Sequence, residues 1–273
     1  MSTDPADIPR GTRNSFVVDA QPWAGGASDV GLRHFPNQDA LAIAAALDSD
    51  DQRVAVVAVC DGVSSSSGSE HASVLASDVA CSTVATRLSS DETTIVADAI
   101  AEAFEQANAA IAASADVDAP TAWSTTLIVA VLAGGEIVVG SAGDSRAYWF
   151  GDDGTTVRLT RDDSMAQARI DLGVRPDEAE SGPGAHTITK WLGVGSPDPT
   201  PTTTRHHPEG SGWLCVCSDG LWNHASSPED LGRVLTDAVR PGDDAWRIAG
   251  RLVDWANEQG GQDNVSVALV HVV

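Results

Sequence analysis

Apolar runs that stop at an acid constrain this 273-residue chain more than any other feature. Residues 56–67 read VVAVCDGVSSSS: an unbroken apolar stretch, then Asp61-Gly62, then four serines. A run this short and this apolar fits a strand buried on both faces. The pattern recurs. WLCVCSDG ends at Asp219-Gly220 and EIVVGSAGDS ends at Asp144. GGQDNVSVALV opens its apolar run from Asp263-Asn264, and PNQDALAIA opens one from Asp39. One Asp-Gly after a strand is an ordinary hairpin turn. Several acids gathered at one sheet edge would repel one another strongly unless something positive stood between them. Hard divalent cations take oxygen ligands of this kind. Gly62 allows a close backbone approach, so its carbonyl is a candidate ligand too.

Patterning places these acids in a mixed fold. The runs at 40–47 and 53–60 are parted by the polar LDSDDQ, which predicts a hairpin. Residues 70–88 carry Val74, Leu75, Val79, Val84 and Leu88 at helical spacing. A second, alanine-rich helix is expected at 91–113, capped by Ser90 or Asp91. Strands follow at 125–132, 136–141 and 146–150, and their tight Gly-bearing turns require antiparallel pairing. A short helix at 163–172 leads into a Pro-, Gly- and Glu-rich stretch at 173–186, read as a mobile flap. A strand at 213–217, helices at 228–239 and 243–259 and a strand at 265–273 complete the chain. This order predicts an α+β fold, sheets covered by helices, in one domain over 15–273 after a flexible tail at 1–14.

Charge excludes some partners. The net charge of −23 repels nucleic-acid phosphates and anionic lipid, so neither nucleic acid nor membrane is an expected partner. No 18-residue apolar run suggests a membrane span. The start, MSTDPADIPRGTRN, has no apolar signal core, so a cytoplasmic location is expected. Cys60, Cys81, Cys215 and Cys217 lack zinc spacing and read as reduced, small apolar residues. The serines at 64–67 read as a helix-entry loop rather than nucleophiles, and His206-His207 as surface residues. The eight tryptophans read as core and ridge residues. No GxGxxG follows a strand, which disfavours nucleotide binding.

The landmarks SDVGLRHFPNQDA, VCDGVSSSSGSEHAS, STTLIVAVL, SAGDSRAYWF, LTRDDSMAQ, ITKWLG, CVCSDGLWN and GGQDNVSVALV occur in order along nearly the whole chain. In these motifs the chain resembles the metal-dependent protein phosphatases of the protein phosphatase 2C type, in their bacterial form. The resemblance implies two antiparallel sheets packed as a sandwich, flanked by helices, with a site at one end holding two Mn²⁺ or Mg²⁺ ions. By motif, Asp61, Asp219 and Asp263 would ligate the first ion. Asp61, the Gly62 carbonyl and Gln38 would ligate the second. Asp144, with Asp219, matches a third ion's place, and Asp39 would orient an ion-bound water. Two such ions about 3.5–4 Å apart make water a nucleophile near neutral pH, so no serine or cysteine nucleophile is needed.

Two positions depart from the family pattern. Gln38 stands where a glutamate is common, which keeps an oxygen but loses a charge and should weaken the second ion. His34 stands where the phosphate-binding arginine belongs, with Arg33 beside it. Arg33 turning inward with His34 assisting is the expected arrangement, because the guanidinium offers a bidentate fork. The reading is a protein serine/threonine phosphatase, monomeric, acting on phosphorylated proteins opposite a Ser/Thr kinase system. The alternative is a catalytically weak regulatory or binding module with the same fold. A two-carboxylate glycosidase leaves the remaining acids unexplained.

Overall fold

The computed structural model describes residues 15–66, 68–90, 93–115, 123–196 and 198–273. The expected tail at 1–14, Ser67 and the proposed cap Asp91 lie outside the described residues. Two antiparallel sheets face each other. One has six strands in the order β1 (Ser15–Gln21), β2 (Ala24–Asp29), β13 (Val265–Val272), β12 (Gly212–Cys217), β8 (Arg146–Gly151) and β9 (Thr156–Arg158). The other has five: β11 (Thr202–His206), β7 (Glu136–Ala142), β6 (Leu127–Ala133), β4 (Arg53–Asp61) and β3 (Asp39–Leu47). A two-stranded ribbon pairs β5 (Ser124–Thr125) with β10 (Leu192–Gly193).

Helices cover both outer faces. α1 (Ser69–Ser90) and α2 (Val96–Ser114) lie on the five-stranded sheet. α6 (Pro228–Ala238) and α7 (Ala245–Glu258) lie on the six-stranded sheet. Three short helices, α3 (Met165–Asp171), α4 (Pro176–Ser181) and α5 (Asp219–Trp222), gather on the loops. No helix of the described residues is long and apolar enough to cross a membrane.

The near-continuous apolar strands follow from burial on both faces. In β4, Val57 and Val59 point between the sheets, against Ile128, Leu214 and Ala268. Val56, Ala58 and Cys60 point the other way, onto α1 and α2. α1 meets the sheet through small residues: Ala72, Ala76, Ala80 and Ser69, Ser73 and Ser77 are all buried. Ser73 and Ser77 satisfy their hydroxyls by donating to the carbonyls of Glu70 and Val74. All four cysteines are buried and unpaired.

Several boundaries differ from expectation. Ser90 closes α1 and does not cap α2, whose N-cap is Ile95 with no side-chain hydrogen bond. The stretch 173–186 is not an irregular flap throughout: it holds α4, started by Pro176 at its first turn and packed by the buried Ala179. β1 and β2 were not expected as strands. β2 reads AGGASD, a loop composition, yet Gly25 and Gly26 are needed because a Cβ there would meet the Trp246 nitrogen at 2.7 Å and the Val267 carbonyl at 2.8 Å. His207 is exposed beside Glu136, as a surface residue should be. His206 instead ends β11 half-buried against the Trp149 ring.

Candidate metal centre

Strand pairing brings the first two acids together. In the β3–β4 ladder Asp39 lies directly opposite Asp61, so the hairpin itself sets two carboxylates side by side at one end of the sandwich. The backbone of Asp61 is fixed by Thr126 Oγ1, which accepts from its amide at 2.9 Å, and by the Thr126 amide, which donates to its carbonyl at 2.8 Å. Asp219 reaches the same end from the facing sheet, one residue past Ser218 at the start of α5. Asp144 follows β7 in a Gly143 turn, and its carbonyl accepts from Trp222 Nε1 at 2.9 Å. Asp263 precedes β13, its carboxylate accepting from the Asn264 amide at 2.8 Å.

The electrostatics are those of carboxylates crowded without compensation. Burial, then the charges of Asp39, Asp219, Asp144 and Asp263, push the Asp61 carboxyl well above its ordinary pKa. Burial, then Asp219 and Asp162, do the same to Asp144, with Arg146 opposing. Asp39 is pushed up to about 8, by burial first and then against the hydrogen bonds of Ser218 and Ser266. Asp219 is pushed up to about 6 by burial and Asp263, with His186, Asn223 and a hydrogen bond to Asp61 pulling down. Oδ1 of Asp39 and Oδ1 of Asp219 are buried with no hydrogen-bond partner. Orphaned buried acceptors among mutually repelling acids are what a divalent cation would satisfy. In that sense the residues fit the ions. Among the described residues no three His, Cys, Asp or Glu side chains are already drawn tightly around one point, so the acids are placed by their elements and not closed on a centre.

The supporting contacts were not visible as roles in the sequence. Ser218 Oγ donates to Asp39 Oδ2 at 2.7 Å and itself accepts from the Ser266 amide at 2.9 Å. Asn223 donates to Asp219 Oδ2 at 3.0 Å. Asn264 accepts from the Gln38 amide at 2.7 Å and donates to the Val30 carbonyl at 2.8 Å, which ties the 30–38 loop to the mouth of β13. The motifs CSDGLWN and DNVS contain these residues, but only the paired sheets show what they touch.

Gln38 and Gly62 lie side by side just beyond the paired ends of β3 and β4. The Gly62 amide donates to the Gln38 carbonyl at 3.1 Å. A Cβ on Gly62 would come within 2.8 Å of that carbonyl and 2.9 Å of Ser69, so no other residue allows the approach. The Gln38 side-chain amide donates through Nε2 to Ser69 Oγ at the start of α1. Arg33 and His34 separate. His34 Nε2 is 3.9 Å from Asp263 Oδ1, on the rim of the acids. Arg33 is exposed in the preceding turn and makes no ion pair with a described residue. Beside the acids opens a cleft of about 550 Å³, lined by Asp219, Asp263, His186, Trp222, Glu180 and Asn223 among others. His186, the last residue of the stretch expected as a flap, carries no sequence signal for this place.

A sequence profile of the family Protein phosphatase 2C matches residues 32–257. The chain belongs to the protein phosphatase 2C family. It is 33% identical over 173 residues to the serine/threonine protein phosphatase PstP of Mycobacterium tuberculosis, a stretch covering 63% of this chain and 32% of that protein. The chain thus spans about a third of that relative's length. The crystal structure of the PPM Ser-Thr phosphatase MsPP from Mycobacterium smegmatis, in complex with cacodylate, superposes with a TM-score of 0.67 and 29% identity, covering 92% of this chain and 98% of that one. The catalytic domain of PstP with two manganese ions shares the fold at a TM-score of 0.70 and 23% identity, over 95% and 99% of the two chains.

Protonation of the ion-free protein gives a check on this crowding. Asp39, Asp61 and Asp144 have folded-state pKa values above the unfolded range, so the folded state holds more protons than the unfolded one and stability falls as pH rises. His206, His224 and His271, held below their ordinary value by burial, act oppositely, but only up to about pH 6.5. The urea midpoint measured in chelator should therefore decline between about pH 6.5 and 8, and saturating Mn²⁺ should remove most of the decline. A midpoint in chelator that is level or rising over that window contradicts the crowded-acid description.

Proposed function

We propose that residues 15–273 form a single phosphatase domain that removes phosphate from phosphoserine and phosphothreonine of proteins, opposite a Ser/Thr kinase, with Mn²⁺ or Mg²⁺ as the cofactor. The observation that carries this reading is the meeting of Asp39, Asp61, Asp144 and Asp219 at one end of the sandwich, with two buried carboxylate oxygens unpartnered. Asp61, Asp219 and Asp263 would hold one ion. Asp61, the Gly62 carbonyl and Gln38 would hold a second, and Asp144 with Asp219 a third. Bound divalent ions supply an activated water and neutralise charge gathering on the phosphoryl oxygens.

The chain's own residues do the rest. Ser218 fixes one oxygen of Asp39 and leaves the other to accept a proton or orient a water. His34, beside Asp263, and Arg33, exposed on the adjoining turn, offer N–H donors to a substrate phosphate. The cysteines are buried away from the cleft, so the residues favour attack by water over a covalent enzyme intermediate. Release of inorganic phosphate from phosphoserine, phosphothreonine and phosphotyrosine peptides tests the substrate class. Turnover of the first two with Mn²⁺ is the expected result; turnover of phosphotyrosine alone overturns it.

Gln38 supports a weakened second ion, and to that extent a regulatory module is the competing reading. Its amide replaces a charge, and charge count sets much of a hard cation's affinity. Gln38→Glu should keep the contact with Ser69, because the serine hydroxyl can donate to a carboxylate. The Mn²⁺ concentration for half-maximal rate should fall about tenfold, the ratio that corresponds to about 1.4 kcal/mol. Superimposable metal titrations of the two proteins would remove Gln38 from the metal site. No turnover from either protein at any metal concentration would favour the regulatory module.

A further inference from the structure

The geometry points to Glu180 and Arg146 as a latch that positions α4 as one wall of the cleft beside the acids, and so sets the fit of a phosphopeptide rather than of its phosphate. This rests on the phosphatase reading and deepens it. Arg146 lies on β8, two residues after Asp144, and its side chain is only 1% exposed. Its guanidinium grips Asp162 through Nε at 3.1 Å and Nη2 at 2.7 Å. It also donates to Ser226 Oγ at 3.0 Å and to Glu180 Oε1 at 2.8 Å. Its flat face lies 3.5 Å from the centre of the Trp222 ring. Trp222 in turn lines the cleft and holds the Asp144 carbonyl.

Asp162 and Arg146 form a buried pair, which explains the anchor. They do not explain the second acid. Glu180 comes from α4, 34 residues along the chain, and brings its other oxygen to Ser226 Oγ at 2.6 Å. Burial acts to raise its pKa, but hydrogen bonds from Ser226 and Arg146 win and hold it below the usual carboxylate range. Among the described residues, Glu180 alone ties α4 by side-chain hydrogen bonds to anything outside 163–190. Of the helix's other polar side chains, Asp177 pairs with Arg175 and Ser181 donates to the Asp177 carbonyl, both within the segment. The helix is six residues long, and Ala179 is its one buried side chain, so its packing alone is a slender anchor. With Glu180 engaged, Asp177, Glu180 and Ser181 line the cleft from α4, the buried Asp219 forms its floor, and Asp263 stands at its rim.

A substrate as small as an aryl phosphate reaches the floor without needing that wall. A peptide carrying its phosphate to the same floor runs along the cleft and meets α4. The test compares wild type, Glu180→Ala and Glu180→Gln on para-nitrophenyl phosphate and on a short phosphothreonine peptide, both at saturating Mn²⁺, with far-ultraviolet circular dichroism to confirm folding. The ratio of kcat/KM for peptide to that for aryl phosphate should fall about tenfold in Glu180→Ala, through KM more than kcat. Glu180→Gln keeps an acceptor for Arg146 and should recover part of the ratio. A ratio that holds within about twofold in Glu180→Ala, whether both substrates suffer together or neither does, overturns the latch. If Glu180→Ala does not fold, the same criterion applies to Glu180→Gln, whose ratio should then fall at least about threefold. Wild-type protein that turns over neither substrate overturns the phosphatase reading itself, and the latch with it.

Discussion

Asp61→Asn should lower kcat by about a thousandfold at saturating Mn²⁺, the scale on which a preorganised electrostatic group at developing charge is worth. Asp61 is the acid that meets most of the others: Asp39 across the ladder, and Asp219, Asp144 and Asp263 through its charge. It is the one carboxylate proposed to touch both the first and the second ion, so its loss should exceed that of Asp263→Asn, whose side chain is 40% exposed at the rim. Stability should move the other way. Without ions the Asp61 carboxyl is crowded and held toward its neutral form, and a neutral amide of the same shape relieves that crowding. The ion-free variant should unfold at an equal or higher urea concentration than ion-free wild type at pH 8. Inactive and no less stable is the signature of a residue kept for function at a cost to the fold. A variant with near-normal kcat would make Asp61 an ordinary turn residue.

The second large effect is on the fold itself. Arg146→Ala should destabilise the protein by about 3–5 kcal/mol, because Asp162, with a side chain only 4% exposed, would keep a buried charge with its chief partner gone. Arg158 Nη1, at 3.9 Å, is too distant to replace a bidentate grip. Trp222 would lose the cation from its ring face as well. Equilibrium denaturation in urea, with the slope checked against wild type, measures this directly. A loss under about 1 kcal/mol would mean that water reaches Asp162 and that the pair is less enclosed than it stands here.

These two sites differ in how far the sequence exposes them. Asp39, Asp61, Asp144, Asp219 and Asp263 stand out because each interrupts an apolar run, and a run of that kind is legible without a partner strand. The hairpin of β3 and β4 is legible for the same reason, since LDSDDQ breaks one apolar run into two. Arg146 is not. Its partners Asp162, Glu180 and Ser226 lie 16, 34 and 80 residues away, and nothing in the local pattern of SAGDSRAYWF shows that they converge. β2 escaped because its glycines answer to neighbours in space, Trp246 and Val267, and so carry no strand preference of their own. α4 was hidden by its Pro and Glu content, although Pro176 followed by Asp177 and Glu178 is the chemistry of a helix start. Adjacency in the sequence suggests that Arg33 and His34 act as a pair, and only the backbone turn shows His34 against Asp263 with Arg33 outside.

These acids are proposed to hold divalent ions on which the reaction depends. The initial rate of para-nitrophenyl phosphate hydrolysis, followed while free Mn²⁺ is raised from chelated zero to saturation, tests it most directly. A rate that is absent in chelator, climbs with Mn²⁺, climbs again with Mg²⁺ in its place, and collapses when chelator is returned is the predicted result. Hydrolysis that proceeds undiminished in chelator would contradict it.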